Sequence, residues 1–214
     1  MSILQENIMR QILCFGDSNT YGYIPGSGKR YTSKERWTGL LQQSLRSKEI
    51  EIIEEGLVGR TTVYEDSYRP GLKGSELLPQ VLKNHATVDT IILMLGTNDC
   101  KSIYHASPEE IGNGIEKLLK QIKSSVPNAK IILMSPIHLG EHVWESGFDP
   151  EFNQNSVEVS KGLKAVYSHI ARKYGADFLA ASDYAAPSDV DQEHLTVEGH
   201  RSLAAALTRK LIAA

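Results

Sequence analysis

The chain has 214 residues, 41% apolar and 23% charged, with a formal net charge of -3. That length allows one domain, spanning 1–214, with a sizeable core, and the composition is that of an ordinary globular protein. The mild charge, with no basic block or stripe, argues against a nucleic-acid partner, and the lack of an 18-residue apolar run argues against a membrane span.

In chain order, Met1 to Gln11 carries Glu6 and Asn7 and lacks the apolar stretch of a secretory signal, so a cytosolic location is expected. Cys14 and Cys100 fit that compartment as free thiols, Cys14 as inert core. Five apolar runs read as strands: 11–16, 51–56, 90–96, 130–135 and 177–181. The runs Ile91 to Leu95 and Ile131 to Met134 are continuous, as expected for strands covered on both faces. Helical spacing fills the intervals, first in Trp37-Leu40-Leu41-Leu45 and Leu77-Leu78-Val81-Leu82. It recurs in Ile111-Ile115-Leu118-Leu119-Ile122 and Val159-Leu163-Val166-Ile170, and a last helix covers about 197–212. Strand alternating with helix predicts an α/β fold, a parallel sheet with helices on both faces. Helix-to-strand returns are short, whereas the strand-to-helix connections 17–34, 57–73 and 136–152 are long. Long connections in a compact domain are usually functional, and these all leave the carboxyl edge of the sheet, where open α/β sheets bind ligands.

Four polar segments reach that edge. Gly16-Asp17-Ser18-Asn19 follows the first strand, Gly56-Leu57-Val58-Gly59-Arg60 the second and Gly96-Thr97-Asn98-Asp99 the third. Asp191-Gln192-Glu193-His194 precedes the last helix, for which Thr196 is the candidate N-cap. Ser18 is a nucleophile candidate, His194 a base that titrates near neutral pH, and Asp191 the group that orients it. Asn98 offers an uncharged amide N–H to an oxyanion, and Gly59 a backbone N–H unobstructed by a Cβ. Asp17 is read as a brace for the turn rather than a reactant. An Asp-x-x-His pair alone is weak, since nine Asp and seven His in 214 positions give roughly 0.3 by chance. The order of the four segments, each at a strand end, carries the argument.

Each residue also has a plain alternative. Ser18 is otherwise a turn former, Asn98 a turn cap, and Gly59 a loop glycine. Asp191 is otherwise a solvated acid flanked by Asp189 and Glu193, and His194 a packed or surface histidine. His85, His105, His169 and His200 read as surface or helix-face residues. His138 and His142 lie in the loop after the fourth strand, where either could meet substrate or a metal. Tyr23, Lys101, Trp144 and Phe148 are candidate pocket walls. The segment Gly26 to Arg30 hints at a phosphate loop but fails the Walker A spacing.

With these motifs the chain resembles the SGNH (GDSL-type) hydrolases, over about 11–213. Ser18 matches the nucleophile block, Gly59 the second-block glycine, Asn98 the Gly-x-Asn-Asp block, and Asp191 with His194 the final block. Arg36-Trp37-Thr38-Gly39, Glu54 to Leu57 with Arg60-Thr61-Thr62, and Met94 to Lys101 bring it nearer the bacterial arylesterase and acyltransferase branch. Asn19 departs from the leucine of the family pattern. The resemblance implies a three-layer α/β/α sandwich with a five-stranded parallel sheet in flavodoxin-like order 2-1-3-4-5. It implies a serine esterase acting on short acyl esters, by hydrolysis or acyl transfer, through Ser18, Asp191 and His194. The oxyanion would be held by Ser18, Gly59 and Asn98, with Asp17 in support and no cofactor or metal. The implied partners are a small-molecule ester and further copies of the chain in a homo-oligomer. Two readings from other classes compete: a non-catalytic flavodoxin-like nucleotide-binding module, and a metal-dependent phosphoesterase built on Asp17, Asn98, Asp99 and His194.

Overall fold

The computed structural model describes residues 9–213, so most of the segment read as signal-free lies outside the described residues. Strands β1 (Arg10–Gly16), β2 (Ile50–Gly56), β3 (Thr90–Met94), β4 (Lys130–Ser135) and β5 (Asp177–Ala180) form one parallel sheet. Their order is β2-β1-β3-β4-β5, as expected. β3 stops two residues short of the expected 90–96 because Gly96 takes a φ of +128° and turns the chain. Tyr167 then donates its hydroxyl to the Leu95 carbonyl at 2.9 Å, which a ladder partner would otherwise satisfy.

The period-two pleat sorts the apolar runs into two cores. Leu13, Phe15, Ile91, Leu93, Ile131 and Leu133 face α3 (Gly74–Asn84), α4 (Pro108–Ser125) and α5 (Gln154–Tyr174). Ile12, Cys14, Ile92, Met94, Ile132 and Met134 face α2 (Trp37–Leu45) and α6 (Val197–Ala213). Both cysteines are free and buried. Ser107 and Glu110 close a capping box at the start of α4, with Pro108 at its first position. Thr196 caps α6 as expected, its hydroxyl accepting from the Gly199 N–H at 3.1 Å. Among the described residues no helix is long and apolar enough to cross a membrane.

The expected loop 17–34 opens instead with a single helical turn, α1 (Ser18–Tyr21). Two glycines let this turn press onto the strand ends. A Cβ on Gly16 would lie 2.1 Å from Thr20 Oγ1 and 2.7 Å from the Met94 carbonyl, and one on Gly56 would lie 2.2 Å from the Tyr21 nitrogen. In the sheet Gly16 pairs with Gly56 on one side and Met94 on the other. α1 therefore sits on the carboxyl edge of β2, β1 and β3, and Ser18 with it.

His200 corrects one expectation. It is fully buried between α2 and α6 rather than on a surface or open helix face. Its Nδ1 accepts the Trp37 backbone N–H at 3.2 Å, which the missing fourth-back carbonyl of a helix start leaves free. Burial, with the nearby Arg36 charge, pushes the imidazole down to about 3. The unfolded chain therefore binds one more proton than the folded one between about pH 3 and 6.5, and stability falls as pH drops through that window. The contribution from this one group is about 2 kcal/mol between pH 7 and pH 5. Urea unfolding of His200→Asn, which keeps an acceptor near the Trp37 N–H, should show a pH 7-to-5 stability loss smaller by about that amount. An unchanged loss would contradict the buried neutral state.

Candidate active site

Ser18 begins a short helical turn just after β1, Asn98 another a few residues after β3, Gly59 lies in the turn after β2, and the 188–195 loop brings His194 to Ser18. Ser18, Gly59, Asn98, Asp191 and His194 line one cleft of about 380 Å³. The Ser18 hydroxyl is 2.9 Å from His194 Nε2. His194 Nδ1 is 2.9 Å from Asp191 Oδ2. A carboxylate only accepts, so Nδ1 carries the proton and Nε2 is left as the acceptor for the serine hydroxyl.

Each member of this line is held in place. Asp191 Oδ1 accepts the backbone N–H groups of Glu193 (3.2 Å) and His194 (3.0 Å), and Oδ2 accepts the Gly26 N–H at 3.2 Å. Burial would raise its carboxyl, but the His194 hydrogen bond and charge and the backbone donors bring it below the usual carboxylate range. Burial also works against a charged His194. The Asp191 hydrogen bond and the Glu193, Asp191 and Asp17 charges outweigh that and move the imidazole above its ordinary value. The Tyr23 ring lies against the imidazole, with centroids 4.4 Å apart.

Asn19 clamps the histidine from both sides in sequence. Its Oδ1 accepts the Leu195 N–H at 2.9 Å, and its Nδ2 donates to the Glu193 carbonyl at 3.3 Å. Trp37 Nε1 in turn donates to the Asn19 carbonyl at 3.0 Å. The departure from leucine at this position is thus a polar tie between the Ser18 turn and the His194 loop.

The remaining edge residues are anchored through the loop after β2. Asn98 Nδ2 donates to the Arg60 carbonyl at 3.2 Å, which aligns the amide beside Gly59. Arg60 crosses under the loop, with Nη1 donating to the Gly16 carbonyl at 2.9 Å and also to the Glu55 carbonyl, and its guanidinium over the Phe15 ring. Asp99 is fully buried and accepts the Thr62 N–H (2.9 Å) and the Thr62 hydroxyl. Burial pushes its carboxyl up to about 6. Asp17 accepts the Asn19 N–H at 2.9 Å, capping α1. Gly59 has a φ of +81°, a conformation that favours glycine.

The model of the GDSL-like lipase/acylhydrolase family matches residues 14–202. The chain belongs to that family, a family of carboxylic-ester hydrolases. It is similar to the native aryl esterase of M. smegmatis, with 33% identity and a TM-score of 0.88 over 95% of this chain and 99% of that one. It is likewise similar to Est24, a carbohydrate acetylesterase from Sinorhizobium meliloti, with 36% identity and a TM-score of 0.87 over 95% and 99%. The lipase/acylhydrolase of Enterococcus faecalis, at 19% identity and a TM-score of 0.66 over 96% of each chain, shares the fold. No curated protein matches the chain.

Of the expected pocket walls, Tyr23, Lys101 and Phe148 line the cleft of this GDSL-family chain, whereas the exposed Trp144 does not and ties back to the Glu141 carbonyl. His138 and His142 stand outside it, and His142 pairs with Glu145 at 2.7 Å. Among the described residues no group of three His, Cys, Asp or Glu side chains is placed to hold a metal ion. The glycine-rich segment read against a phosphate loop instead supplies the Gly26 N–H to Asp191. Two residues escaped the sequence reading. Glu193, noted only as a neighbour of Asp191, is buried in the cleft, and Arg69 from the loop after β2 joins it there. No local pattern marks either one, because both arrive by contacts between distant loops.

If Asn19 positions the His194 loop, Asn19→Ala should lower kcat for p-nitrophenyl acetate by on the order of 10–100-fold with little change in KM. A variant that folds normally and keeps the wild-type kcat would contradict that assignment.

Proposed function

We propose that the protein is a serine esterase that hydrolyses short-acyl carboxylic esters through Ser18, His194 and Asp191. The observation that carries the reading is His194 within 2.9 Å of both Ser18 Oγ and Asp191 Oδ2, in one cleft with Gly59 and Asn98. His194 Nε2 takes the Ser18 proton as Oγ attacks the ester carbonyl. Asp191 holds the tautomer and stabilises the imidazolium that forms. The backbone N–H groups of Ser18 and Gly59 and the Asn98 amide receive the oxyanion. The tetrahedral adduct collapses, the alcohol leaves with the proton from His194, and an acyl-Ser18 ester remains. Water, or a second alcohol in acyl transfer, then attacks that ester, with His194 again accepting the proton.

The likeness to an aryl esterase and a carbohydrate acetylesterase supports short acyl esters as the substrate class. The competing readings lose their residues. Asp99 is spent on Thr62, and Asp17 gives one oxygen to the α1 cap; neither lines the cleft, which leaves the phosphoesterase set without its carboxylates there. Membership of an acylhydrolase family replaces the nucleotide-binding alternative.

Ser18→Ala should abolish turnover of p-nitrophenyl acetate, and Asn98→Ala should cost about 10²–10³ in kcat. Hydrolysis by Ser18→Ala near the wild-type rate would contradict the reading. The pH profile gives an independent check. Only neutral His194 can take the proton, and its pKa lies above the ordinary 6.5, so kcat/KM should climb with pH through an inflection above that value. Asp191→Asn removes the interaction that raises it and should move the inflection down while lowering the rate. A profile flat from pH 5 to 8 would contradict His194 as the base.

A further inference from the structure

The proposed reaction leaves one largely buried carboxyl group in the cleft without a task. Glu193 lines the same cleft as Ser18 and His194, and its side chain is only 9% exposed. Among the described residues no donor hydrogen-bonds to its carboxylate. The cation nearest to it is the His194 ring, whose Nδ1 is 3.9 Å from Glu193 Oε2 and is already bonded to Asp191. The two permanent cations of the cleft are committed elsewhere. Lys101 pairs with Asp66 (3.2 Å) and Glu151 (3.0 Å), and Arg69 pairs with the same two acids. The carboxylate oxygens are not sealed in the core but open to the cleft, so an acceptor with no protein donor faces the space a substrate occupies. Burial raises the Glu193 carboxyl to about 7, with Asp149, Asp191 and Asp17 adding to the rise and His194 only partly opposing it.

We propose that Glu193 is a specificity-determining residue that accepts a hydrogen bond from a hydroxyl group of the ester substrate. This inference rests on the esterase reading above and deepens it. A cleft that supplies a buried acceptor favours esters with a donor a few bonds from the carbonyl over their alkyl counterparts. The acceptor is the loop acid itself, held by Asp191 and Asn19 through its own backbone: its N–H donates to Asp191 Oδ1, and its carbonyl accepts from Asn19 Nδ2. The specificity group and the base thus share one anchored segment.

The test uses pairs of esters that differ by hydroxyl against methyl. On the alcohol side the pair is 2-hydroxyethyl acetate and propyl acetate, and on the acyl side ethyl glycolate and ethyl propionate, with acid release followed by pH-stat. The wild-type protein should favour the hydroxyl member of at least one pair by about 10-fold or more in kcat/KM. Glu193→Leu should collapse that ratio to about threefold or less, and Glu193→Gln, which keeps the shape and one acceptor oxygen, should retain part of it. Should Glu193→Leu fail to fold, the wild-type ratio and Glu193→Gln still decide. A wild-type ratio below about threefold in both pairs, or a ratio equal in wild type and Glu193→Gln and Glu193→Leu, overturns the inference. A preference for acetylcholine over 3,3-dimethylbutyl acetate with no hydroxyl preference also overturns it, because the cleft would then select charge rather than a donor. In each of these cases hydrolysis that Ser18→Ala abolishes leaves the serine-esterase reading standing. Absence of any Ser18-dependent hydrolysis would sink that reading itself.

Discussion

The hydrogen bond from His194 Nδ1 to Asp191 is the interaction on which the proposed chemistry depends. It decides which ring nitrogen bears the proton, and hence whether Nε2 can accept from Ser18. Much of the surrounding structure serves to keep it short and directed. Asp191 is fixed by three backbone N–H groups, one of them delivered from Gly26 far away in the chain. Asn19 grips the residues on either side of His194, and Trp37 holds Asn19. The imidazole lies against Tyr23. A flexible side chain on a loop is thereby converted into a preorganised one, and its ordering is part of folding rather than of binding.

The sheet contributes the other half of the geometry. Parallel strands send every β-to-α connection to the same edge, so three glycine-containing turns converge there without any long-range design of their own. Close approach makes that convergence tight. Gly16 and Gly56 admit α1 against the strand ends, while Arg60 and Asp99 stitch the loop after β2 to β1 and β3. The cost is a set of buried polar groups whose fit is exacting. Asp99 and the Nη1 of Arg60 meet backbone or hydroxyl partners, and His200 stays neutral under Trp37.

Much of this was legible in the sequence, for identifiable reasons. Continuous apolar runs such as Ile91 to Leu95 announce strands buried on both faces, and the 3.6-residue spacing of Ile111 to Ile122 announces the helix that covers them. Ser18, Gly59, Asn98, Asp191 and His194 were readable because each belongs to a short motif at a strand or helix end. The one-turn helix at Ser18 and the early end of β3 were not, since both arise from glycine contacts with other strands. His200 was misread because a histidine on an amphipathic helix carries no mark of the Trp37 N–H awaiting it. Glu193 drew no role of its own because its neighbours in sequence are polar, whereas its neighbours in space are the walls of the cleft. Asn19 could be seen as a departure from a pattern, but its two partners lie 174 and 176 residues away.

The most direct measurement is the reaction of the protein with diethyl p-nitrophenyl phosphate, followed by intact mass and peptide mapping. The account requires a single diethylphosphoryl adduct, located on Ser18, and formation slowed by orders of magnitude in a folded Asp191→Asn variant in which the imidazole has lost its orienting carboxylate. An adduct on another residue, or equal labelling rates in the two proteins, would contradict it.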